Sequence, residues 1–469
     1  MRRRRLRAEQ TPNSVVILGL ARQGKALARF FAERGAHVVV SDLREATQLS
    51  GQLDELADLP VKYVLGQHPV SLLDGCELLC LSGGVSPEIP LVQEALRRGI
   101  PLSNDAQEFM MRCPAPVVGI TGSAGKTTTT ALVGRMLEAS GFRTWVGGNI
   151  GYPLLNALSD IQETDRVVME LSSFQLELMD VSPSVAGLLN ITPNHLDRHH
   201  TMEAYVAAKR HIMDYQGPQD VLVLGYDNEE TRALAEHAMG QVRFFSGLTH
   251  VGEGSYLRGE ELVMRHQGQE TLVARRDAIR LRGFHNVQNV LAAIALADAA
   301  GATVAGMRQA IATFTGVSHR LEEVSRRRGV LWIDDSIATT PERVVAALAS
   351  FEEPLVLLAG GRDKDLPWGL FAERVVERVR VLILFGEASP LIEEHVREAW
   401  ERAEAVGKRI AMERMLRGGD LQNAVTLASE LARPGDVVLL SPGGTSFDAF
   451  RDFAERGDCF KRWVAALGD

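Results

Sequence analysis

Cysteine is scarce in this sequence of 469 residues, which has only four. They show neither the paired spacing of a zinc site nor the density of a disulfide-stabilised domain, and they stand at Cys76, Cys80, Cys113 and Cys459. Such sparse cysteine is typical of a reducing compartment, so we expect a cytoplasmic protein. The sequence also lacks an apolar run long enough to cross a bilayer. We therefore expect no membrane partner.

Positive charge is in the minority. Lys and Arg total 51 against 60 Asp and Glu, and the formal net charge is −9, so we expect no general affinity for nucleic acid. The basic start, Arg2 to Arg5, is followed by no apolar stretch. This pattern favours a disordered arm, or alternatively a basic patch, over a signal peptide. The length suggests about three domains.

The most informative segment combines an apolar strand, a glycine-rich turn and a helical pattern. The turn and the start of the helix consist of Gly122, Ser123, Ala124, Gly125, Lys126, Thr127 and Thr128. Glycines let backbone N–H groups curl around an anion, and the following helix directs its positive end to the same place. A lysine there reaches the outer phosphates of a nucleotide, and a neighbouring hydroxyl can bind Mg²⁺. The strict motif would have a glycine where Ile120 stands, so a chance glycine turn is the alternative to a nucleoside triphosphate site.

Two strands that follow this segment in the sequence end in side chains that suit the same nucleotide site. Glu170 closes one strand, where a carboxylate is well placed to bind Mg²⁺, although a solvated glutamate is the alternative. His195 follows the next strand, and we assign it as a ligand because it shares the nucleotide edge of the sheet. His199 and His200 are predicted to be solvated.

Three polar residues later in the sequence can each be interpreted in two ways, as part of the site or as structural. Lys209 follows two alanines on a predicted helix, which suits either one buried cation on a close-packed face or a surface lysine. Asn286 and Asn289 lie one helical turn apart, before an alanine-rich helix. They can contact an adenine edge or cap the helix. The stretch from 244 to 278 between them is predicted to form hairpins with glycine turns.

The first block begins with a strand–helix–strand unit whose turn runs from Gly19 to Gly24. This turn lacks the middle glycine of the dinucleotide motif, which disfavours a nicotinamide dehydrogenase. Asp42 ends the second strand and could bind a ribose hydroxyl. A later strand ends at Gly83 and Gly84, a second turn able to approach a phosphate. We predict that this block binds a nucleotide diphosphate group.

The last block, from about Gly316, alternates four apolar strands with helical stretches, which predicts a further parallel sheet. The predicted fold class is α/β with three domains. They are a Rossmann-like domain over 1–105, a central P-loop ATPase-like domain with a parallel sheet over 106–315, and a Rossmann-like domain over 316–469.

As a set, these motifs resemble those of the Mur ligase family. The resemblance rests on the segments 121–128, 170–175, 189–198, 205–209 and 283–289 and on His319, Arg320, Asp335 and Ser336. It implies an ATP-dependent ligase of peptidoglycan synthesis, and hence of cell shape and division, that adds D-glutamate to UDP-N-acetylmuramoyl-L-alanine through an acyl phosphate. It also implies a monomer. The alternatives are ligation of L-glutamate, a ligase similar to folylpolyglutamate synthase, and an ATP-binding regulator without activity.

The resemblance further implies roles for individual residues. Lys126 would bind the β- and γ-phosphates of ATP, Thr127 and Glu170 a first Mg²⁺, and His195 with a carbamylated Lys209 a second. The phosphate loop and Asn286, Asn289, Arg320 and Asp335 would contact ATP. The first domain would bind the UDP-substrate through Leu20, Ala21, Asp42, Leu43, Arg44 and Gly84, with Asn149 of the central domain beside it. The last domain would bind glutamate through Thr339, Lys364, Ser446 and Phe453.

Two positions depart from the family pattern. Ala124 stands where the family usually has Asn, and we expect the backbone cradle to tolerate this loss. Ile337 stands where the enzymes specific for D-glutamate typically have Lys. The surrounding segment also resembles a branch that adds L-glutamate, so the enantiomer used stays open from sequence.

Overall fold

The computed structural model describes residues 11–364 and 366–468, without the side chain of Asp197. The basic start at Arg2 to Arg5 lies outside the described residues. Contacts between Cα atoms divide the chain into two compact units. One contains the described residues up to 280 together with 284–314, and the other contains 281–283 and the described residues from 315. Within the part of the chain that the structure describes, we find no helix with the length and apolar character needed to cross a bilayer.

The first sheet, in the first unit, has five parallel strands in the order β3-β2-β1-β4-β5. The strands are β1 (Ser14–Leu18), β2 (His37–Asp42), β3 (Val61–Leu65), β4 (Leu78–Leu81) and β5 (Leu102–Ser103). The helices around it are α1 (Arg22–Ala32), α2 (Ser50–Asp54), α3 (Pro90–Arg97) and α4 (Asp105–Arg112). Strand order reverses between β1 and β4, so the turns after these two strands flank a crevice at the carboxyl edge of the sheet.

The second sheet of this unit has nine strands in the order β14-β13-β12-β11-β10-β9-β6-β8-β7. The strands are β6 (Val117–Thr121), β7 (Thr144–Gly148), β8 (Arg166–Glu170), β9 (Val185–Leu188), β10 (Val221–Gly225), β11 (Gln241–Ser246), β12 (Gly254–Arg258), β13 (Glu261–His266) and β14 (Gln269–Arg275). Pairings from β7 through to β12 are parallel. The pairings of β13 with β12 and β14 are antiparallel. The predicted hairpins therefore extend the predicted parallel sheet and make it mixed.

Among the described residues, seven α-helices accompany this sheet. They are α5 (Lys126–Ala139), α6 (Ser173–Leu176), α7 (Leu196–His199), α8 (Met202–Arg210), α9 (Glu229–Ala233), α10 (Phe284–Ala299) and α11 (Val304–Thr313). The alanine-rich helix α10 begins at Phe284, earlier than its apolar pattern suggests, and its middle is buried. The two asparagines that precede this apolar stretch therefore lie within the helix.

The sheet of the second unit has six strands in the order β15-β16-β20-β17-β18-β19. The strands are β15 (Glu322–Arg327), β16 (Val330–Asp334), β17 (Leu355–Gly360), β18 (Val379–Phe385), β19 (Arg414–Gly419) and β20 (Val437–Gly443). The helices are α12 (Pro341–Leu348), α13 (Gly369–Arg378), α14 (Ser389–Ala405), α15 (Leu421–Leu431) and α16 (Phe453–Ala466). Only the pairing of β15 with β16 is antiparallel among the described strands of this sheet.

Burial on both faces explains why the inner strands are apolar runs without alternation. In β17, Leu355 and Leu357 pack into one apolar cluster, while Val356 and Leu358 pack into a second cluster on the opposite face. Helices cover both faces of such a sheet, and only the strand ends remain for polar side chains. The predicted α/β fold class is thus confirmed.

Candidate active site at the phosphate loop

The predicted phosphate loop joins β6 to α5. Gly122 has a φ of 156° and Gly125 a φ of 83°, and the second value lies in the left-handed region that favours glycine. A Cβ atom at position 125 would also lie 2.2 Å from Oδ1 of Asn289. Position 125 therefore requires glycine, and the structure brings the predicted adenine residue Asn289 against the phosphate loop.

Polar contacts fasten the loop to the segment that follows β9. The Ala124 N–H donates to Oδ1 of Asn190 at 2.9 Å, and Nδ2 of Asn190 donates to the Ala124 carbonyl at 3.1 Å. The Ser123 hydroxyl contacts the carbonyl oxygen of Thr192 and the hydroxyl of Tyr205, both at 3.0 Å. Asn190 is a support of the loop that its position in the sequence does not reveal, because its partner is 66 residues away.

Lys126 lies within the loop that it is predicted to serve. Its Nζ donates to the carbonyl oxygens of Gly122 at 2.8 Å and Ser123 at 3.3 Å. The ammonium group is thus held at the mouth of the turn, where a phosphate group would be bound. Thr128, two residues on, lies in the first turn of α5.

Glu170 gathers predicted residues around its carboxylate. The Thr127 hydroxyl donates to Oε2 at 2.8 Å, and Nδ2 of Asn149 donates to Oε1 at 2.9 Å. The Asn149 backbone N–H also donates to the Glu170 carbonyl at 2.9 Å. A hydroxyl and a carboxylate at this separation are the hard oxygen donors that Mg²⁺ prefers, so these residues fit a Mg²⁺ site.

Lys209 is buried, which decides between its two interpretations. The residue is 1% exposed, and its Nζ donates to the Gly122 carbonyl at 3.0 Å and to the Thr121 hydroxyl at 3.4 Å. Burial, together with the positive charge of Lys126, holds the pKa of Lys209 well below its ordinary value, although Glu170 opposes the shift. The neutral amine is therefore more favourable here than it is for a lysine in water.

The three histidines after β9 differ in environment. His195 has a left-handed backbone with φ 54°, and its ring packs 5.1 Å from that of Phe174. The prediction that His199 is solvated is wrong, because the residue is 6% exposed and its Nε2 lies 2.9 Å from the Ser173 hydroxyl. The short helix α7 turns its ring inward to stack on Phe174 at 5.3 Å. His200 is exposed and pairs with Glu88 at 2.9 Å.

The two asparagines of α10 share one face, as their spacing predicts. Nδ2 of Asn289 donates to Oδ1 of Asn286 at 3.0 Å. Asn289 is buried, whereas Asn286 is half-buried and its Nδ2 lies 3.1 Å from Nε2 of His285. Asn289 thus contacts the phosphate loop on one side and Asn286 on the other.

At the carboxyl edge of the first sheet, Asp42 orders two turns. Its Oδ2 accepts from the Leu20 N–H at 2.7 Å, and Arg44 binds both carboxylate oxygens at 2.9 and 2.7 Å. Burial works to raise the pKa of Asp42, but the hydrogen bonds from Arg44 and Leu20 outweigh it and lower the pKa to about 2. Of the other residues predicted to bind the UDP-substrate, Ala21, Leu43 and Gly84 are exposed.

Of two residues at the start of α1, one links this edge to the segment beside the phosphate-loop site and the other links two turns of the edge itself. Arg22 donates to the carbonyl oxygens of Gly151 at 2.5 Å and Asn149 at 3.1 Å. Oε1 of Gln23 accepts from the Gly83 N–H at 2.8 Å, which joins the turns after β1 and β4. Neither residue belongs to the predicted site, and their partners lie 129, 127 and 60 residues away.

In the second unit, Asp335 directly follows β16, and Arg320 precedes β15. Asp335 is 5% exposed, and its carboxylate accepts from the Ser441 hydroxyl at 2.7 Å and the Leu321 N–H at 3.2 Å. Burial raises the pKa of Asp335 to about 7, although these hydrogen bonds and the charge of Arg320 oppose the shift. The carboxyl group is therefore poised between its neutral and charged forms near neutral pH.

Three of the four residues predicted to bind the substrate glutamate follow neighbouring strands of this sheet. Thr339 lies after β16, Ser446 after β20 and Lys364 after β17, and these strands are adjacent in the sheet. Partial desolvation, with the positive charges of Arg343 and Arg456, lowers the pKa of Lys364, whose side chain still reaches the solvent. Phe453, the fourth of this set, opens α16, and its carbonyl oxygen accepts from the Ser336 hydroxyl at 2.8 Å.

Three family models match the chain along its length. They are "Mur ligase MurD-like, N-terminal domain" over residues 13–104, "Mur ligase middle domain" over 120–297, and "Mur ligase, glutamate ligase domain" over 319–444. A UDP-N-acetylmuramoylalanine--D-glutamate ligase from Symbiobacterium thermophilum is 44% identical over 96% of this chain and 97% of its own. The chain belongs to the Mur ligase family. The resemblance inferred from the motifs is thus confirmed.

A further relative and two solved structures are also similar to this Mur ligase. A UDP-N-acetylmuramoylalanine--D-glutamate ligase from Acetivibrio thermocellus is 40% identical over 97% of this chain and 96% of its own. The crystal structure of UDP-N-acetylmuramate-alanine ligase from Thermotoga maritima has a TM-score of 0.58 at 21% identity, covering 97% of this chain and 100% of that one. MurF from Acinetobacter baumannii has a TM-score of 0.56 at 18% identity, covering 99% and 98%. At these identities the solved structures support the fold alone.

Proposed function

We propose that this Mur ligase uses ATP to join D-glutamate to UDP-N-acetylmuramoyl-L-alanine, as a cytoplasmic monomer in peptidoglycan synthesis. The observation that supports this most is the set of relatives named UDP-N-acetylmuramoylalanine--D-glutamate ligase. Those compared are 36 to 44% identical over nearly the whole chain. The proposed roles of the three sequence regions are UDP-substrate binding for 1–105, ATP binding for 106–315 and glutamate binding for 316–469.

The chemistry that we propose proceeds in two steps, because a carboxylate is a poor electrophile. The terminal carboxylate of the UDP-substrate attacks the γ-phosphorus of ATP, the bond to the β-phosphate oxygen breaks, and an acyl phosphate and ADP result. The glutamate amine then attacks the acyl carbon. The tetrahedral intermediate expels inorganic phosphate, the nitrogen loses a proton, and an amide remains.

The phosphate loop supplies the groups for the first step. Its backbone N–H groups and the Lys126 ammonium stabilise the charge on the β- and γ-phosphates. Asn286 and Asn289 are assigned to the adenine, and the contact of Asn289 with Gly125 supports their closeness to the phosphates. For Arg320 and Asp335, the proposed part in ATP binding rests on the family resemblance alone.

Mg²⁺ is the proposed cofactor, and two ions are assigned. Thr127 and Glu170, whose oxygens are 2.8 Å apart, would hold the first, while His195 and Lys209 would serve the second. Bound Mg²⁺ would neutralise charge on the phosphoryl group in transfer. An amine is unsuited to Mg²⁺, but the neutral Nζ of Lys209 can attack CO₂, lose a proton and become a carbamate. That carbamylated lysine offers the oxygen donors that Mg²⁺ prefers.

The two other substrates are assigned to sheet edges. The UDP-substrate lies along Leu20, Ala21, Asp42, Leu43, Arg44 and Gly84, with its alanyl arm beside Asn149. Glutamate lies among Thr339, Lys364, Ser446 and Phe453. The bonds of Asn149 to Glu170 support this arrangement, because they bring the proposed alanyl arm to the Mg²⁺ ligands.

The test is to supply the purified protein with ATP, Mg²⁺ and UDP-N-acetylmuramoyl-L-alanine, and to add D- or L-glutamate in separate reactions. We expect a product one glutamyl residue heavier by mass spectrometry, and phosphate release, with D-glutamate only. Product from L-glutamate alone would overturn the assigned enantiomer. A parallel reaction with a reduced folate tests the second ligase class, and glutamylation there without product from the UDP-substrate would overturn the proposal.

A further inference from the structure

In the second unit, the residues proposed to bind glutamate lie at the carboxyl edge of the sheet. A cationic side chain at this edge lies beside Ile337, the position where the enzymes specific for D-glutamate typically have Lys. Arg343 is in the first turn of α12, and its Nη1 donates to the carbonyl oxygen of Ile337 at 3.1 Å. The guanidinium group therefore lies next to the residue whose own side chain is apolar. Arg343 is exposed, so its charge faces the solvent from which an amino acid would arrive.

Main-chain hydrogen bonds join the loops of this edge into one continuous surface. The Gly443 N–H donates to the Ala338 carbonyl at 2.8 Å, which connects the loops after β20 and β16. Thr445 and Arg362 exchange two bonds, at 2.8 and 2.9 Å, which connect the loops after β20 and β17. Thr339, Ser446 and Lys364 belong to these three loops, and the Arg343 contact with Ile337 fastens the guanidinium to the same surface.

The positive side chains at this surface differ in burial. Arg456 is fully buried and donates to the Ser336 carbonyl at 2.8 Å and the Gly444 carbonyl at 3.2 Å, so it braces the loops. Lys364 and Arg343 are exposed. The charge of Arg343 also contributes to the lowered pKa of Lys364, which is consistent with their approach to each other.

We propose that Arg343 binds one carboxylate of the incoming glutamate while Lys364 binds the other, so that Arg343 supplies the charge that a lysine at position 337 would provide. The inference rests on the proposed glutamate ligation. Glutamate has two carboxylates, and a single lysine leaves one of them without a cation. A guanidinium group presents two parallel N–H donors that match a carboxylate.

The test compares steady-state kinetics of the wild type, Arg343→Ala, Arg343→Lys and the control Glu342→Ala, which changes an exposed neighbour in the same helical turn. Arg343→Ala should raise KM for glutamate about 10- to 100-fold, as expected for loss of a hydrogen bond to a charged group. KM for ATP and for the UDP-substrate should stay unchanged, and Glu342→Ala should match the wild type. Arg343→Lys should lie between, because it keeps the charge and loses the fork.

A second variant separates a binding role from a structural one. Adding Ile337→Lys to Arg343→Ala should recover much of the affinity for glutamate, since it restores a cation near the lost one. An unchanged KM for glutamate in Arg343→Ala would overturn the inference, and so would an equal rise of all three KM values that Ile337→Lys does not reverse. Thermal unfolding of each variant identifies a folding defect, in which case Arg343→Lys alone decides. A wild type without ligase activity would count against the proposed function, and a wild type that is active without the expected shift counts against Arg343 only.

Discussion

Lys209, beside the second sheet of the first unit, and Asp335, beside the sheet of the second unit, are buried ionisable groups of opposite charge. Each lies near the polar residues at the carboxyl ends of the strands. Both bond to neutral protein groups, a carbonyl and a hydroxyl for Lys209 and a hydroxyl and a backbone N–H for Asp335. Burial is the largest cause of both pKa shifts, downward for Lys209 and upward for Asp335. Each group is therefore displaced toward its neutral form.

Asp42 shows what a charged partner changes. It too is buried, but Arg44 binds it at both oxygens, and its pKa falls to about 2. Burial thus displaces a group toward its neutral form, unless an oppositely charged partner bonded to it outweighs the effect. For Lys209 the neutral form is chemically useful, because only an uncharged amine can take up CO₂.

The largest expected effect tests the cation beside Lys209. Lys126→Ala should lower turnover by at least about 10²-fold at saturating ATP, because it removes the charge that we propose stabilises the transferred phosphoryl group. It should also relieve the repulsion that helps to lower the pKa of Lys209. Initial rates with ATP, the UDP-substrate and D-glutamate measure the loss. Turnover close to the wild-type value would contradict the assignment of the phosphate loop.

The next effect tests the neutral amine itself. Lys209→Ala should reduce turnover by about 10²-fold, since the proposed ligand of a charge-stabilising Mg²⁺ would be lost. High concentrations of acetate or formate should restore part of the activity, with chloride at equal ionic strength as the control. Acetate or formate should restore no activity to the Lys126→Ala variant. A fully active Lys209→Ala would show that carbamylation has no part in the reaction.

A smaller effect tests the paired carboxylate. Arg44→Ala should raise KM for the UDP-substrate by up to about tenfold, since the exposed arginine orders Asp42 and its turn. The pKa of Asp42, followed by NMR, should rise from about 2. Arg97→Ala, which changes an exposed arginine paired with Glu94 in the first-sheet region, is the matched control. A variant with an unmoved Asp42 pKa would refute the proposed role of pairing.

The smallest effect concerns stability and pH. The folded pKa of Asp335, about 7, exceeds its usual value of 3.8, so the folded state binds more protons between these values and stability falls as pH rises through them. Asp335→Asn cannot ionise, and the Ser441 hydroxyl can accept from its amide. Its Tm should therefore gain on the wild type by a few degrees as pH rises from about 5 to about 8. A constant difference in Tm across that range would refute the neutral carboxyl.

Local patterns predicted much of this molecule. The phosphate loop, Glu170 and the hairpins near 244–278 follow from adjacent residues, because turn chemistry and strand ends are written in short segments. The polar edge strands β15 and β19 lack the apolar run that identifies an inner strand. For β19 the pairing also depends on β18, which is about 30 residues earlier in the sequence.

The supports of the site depend on tertiary contacts. Asn190 holds Ala124 across 66 residues, and Arg22 reaches Gly151 across 129. His199 shows the same limit, since its ring stacks on Phe174, which lies 25 residues earlier in the sequence. The sequence shows that Arg343 is basic, but its contact with Ile337 depends on how α12 begins.

Arg22 has a consequence for hydrogen exchange in the first unit. Its guanidinium bonds the Asn149 and Gly151 carbonyls to the start of α1, and Asn149 bonds Glu170. Amide protons in these segments should therefore exchange with deuterium together, as one cooperative patch rather than two. A compound bound only at the turns after β1 and β4 would slow exchange around Asn149 and Glu170 as well, and Arg22→Ala would confine its protection to the first sheet.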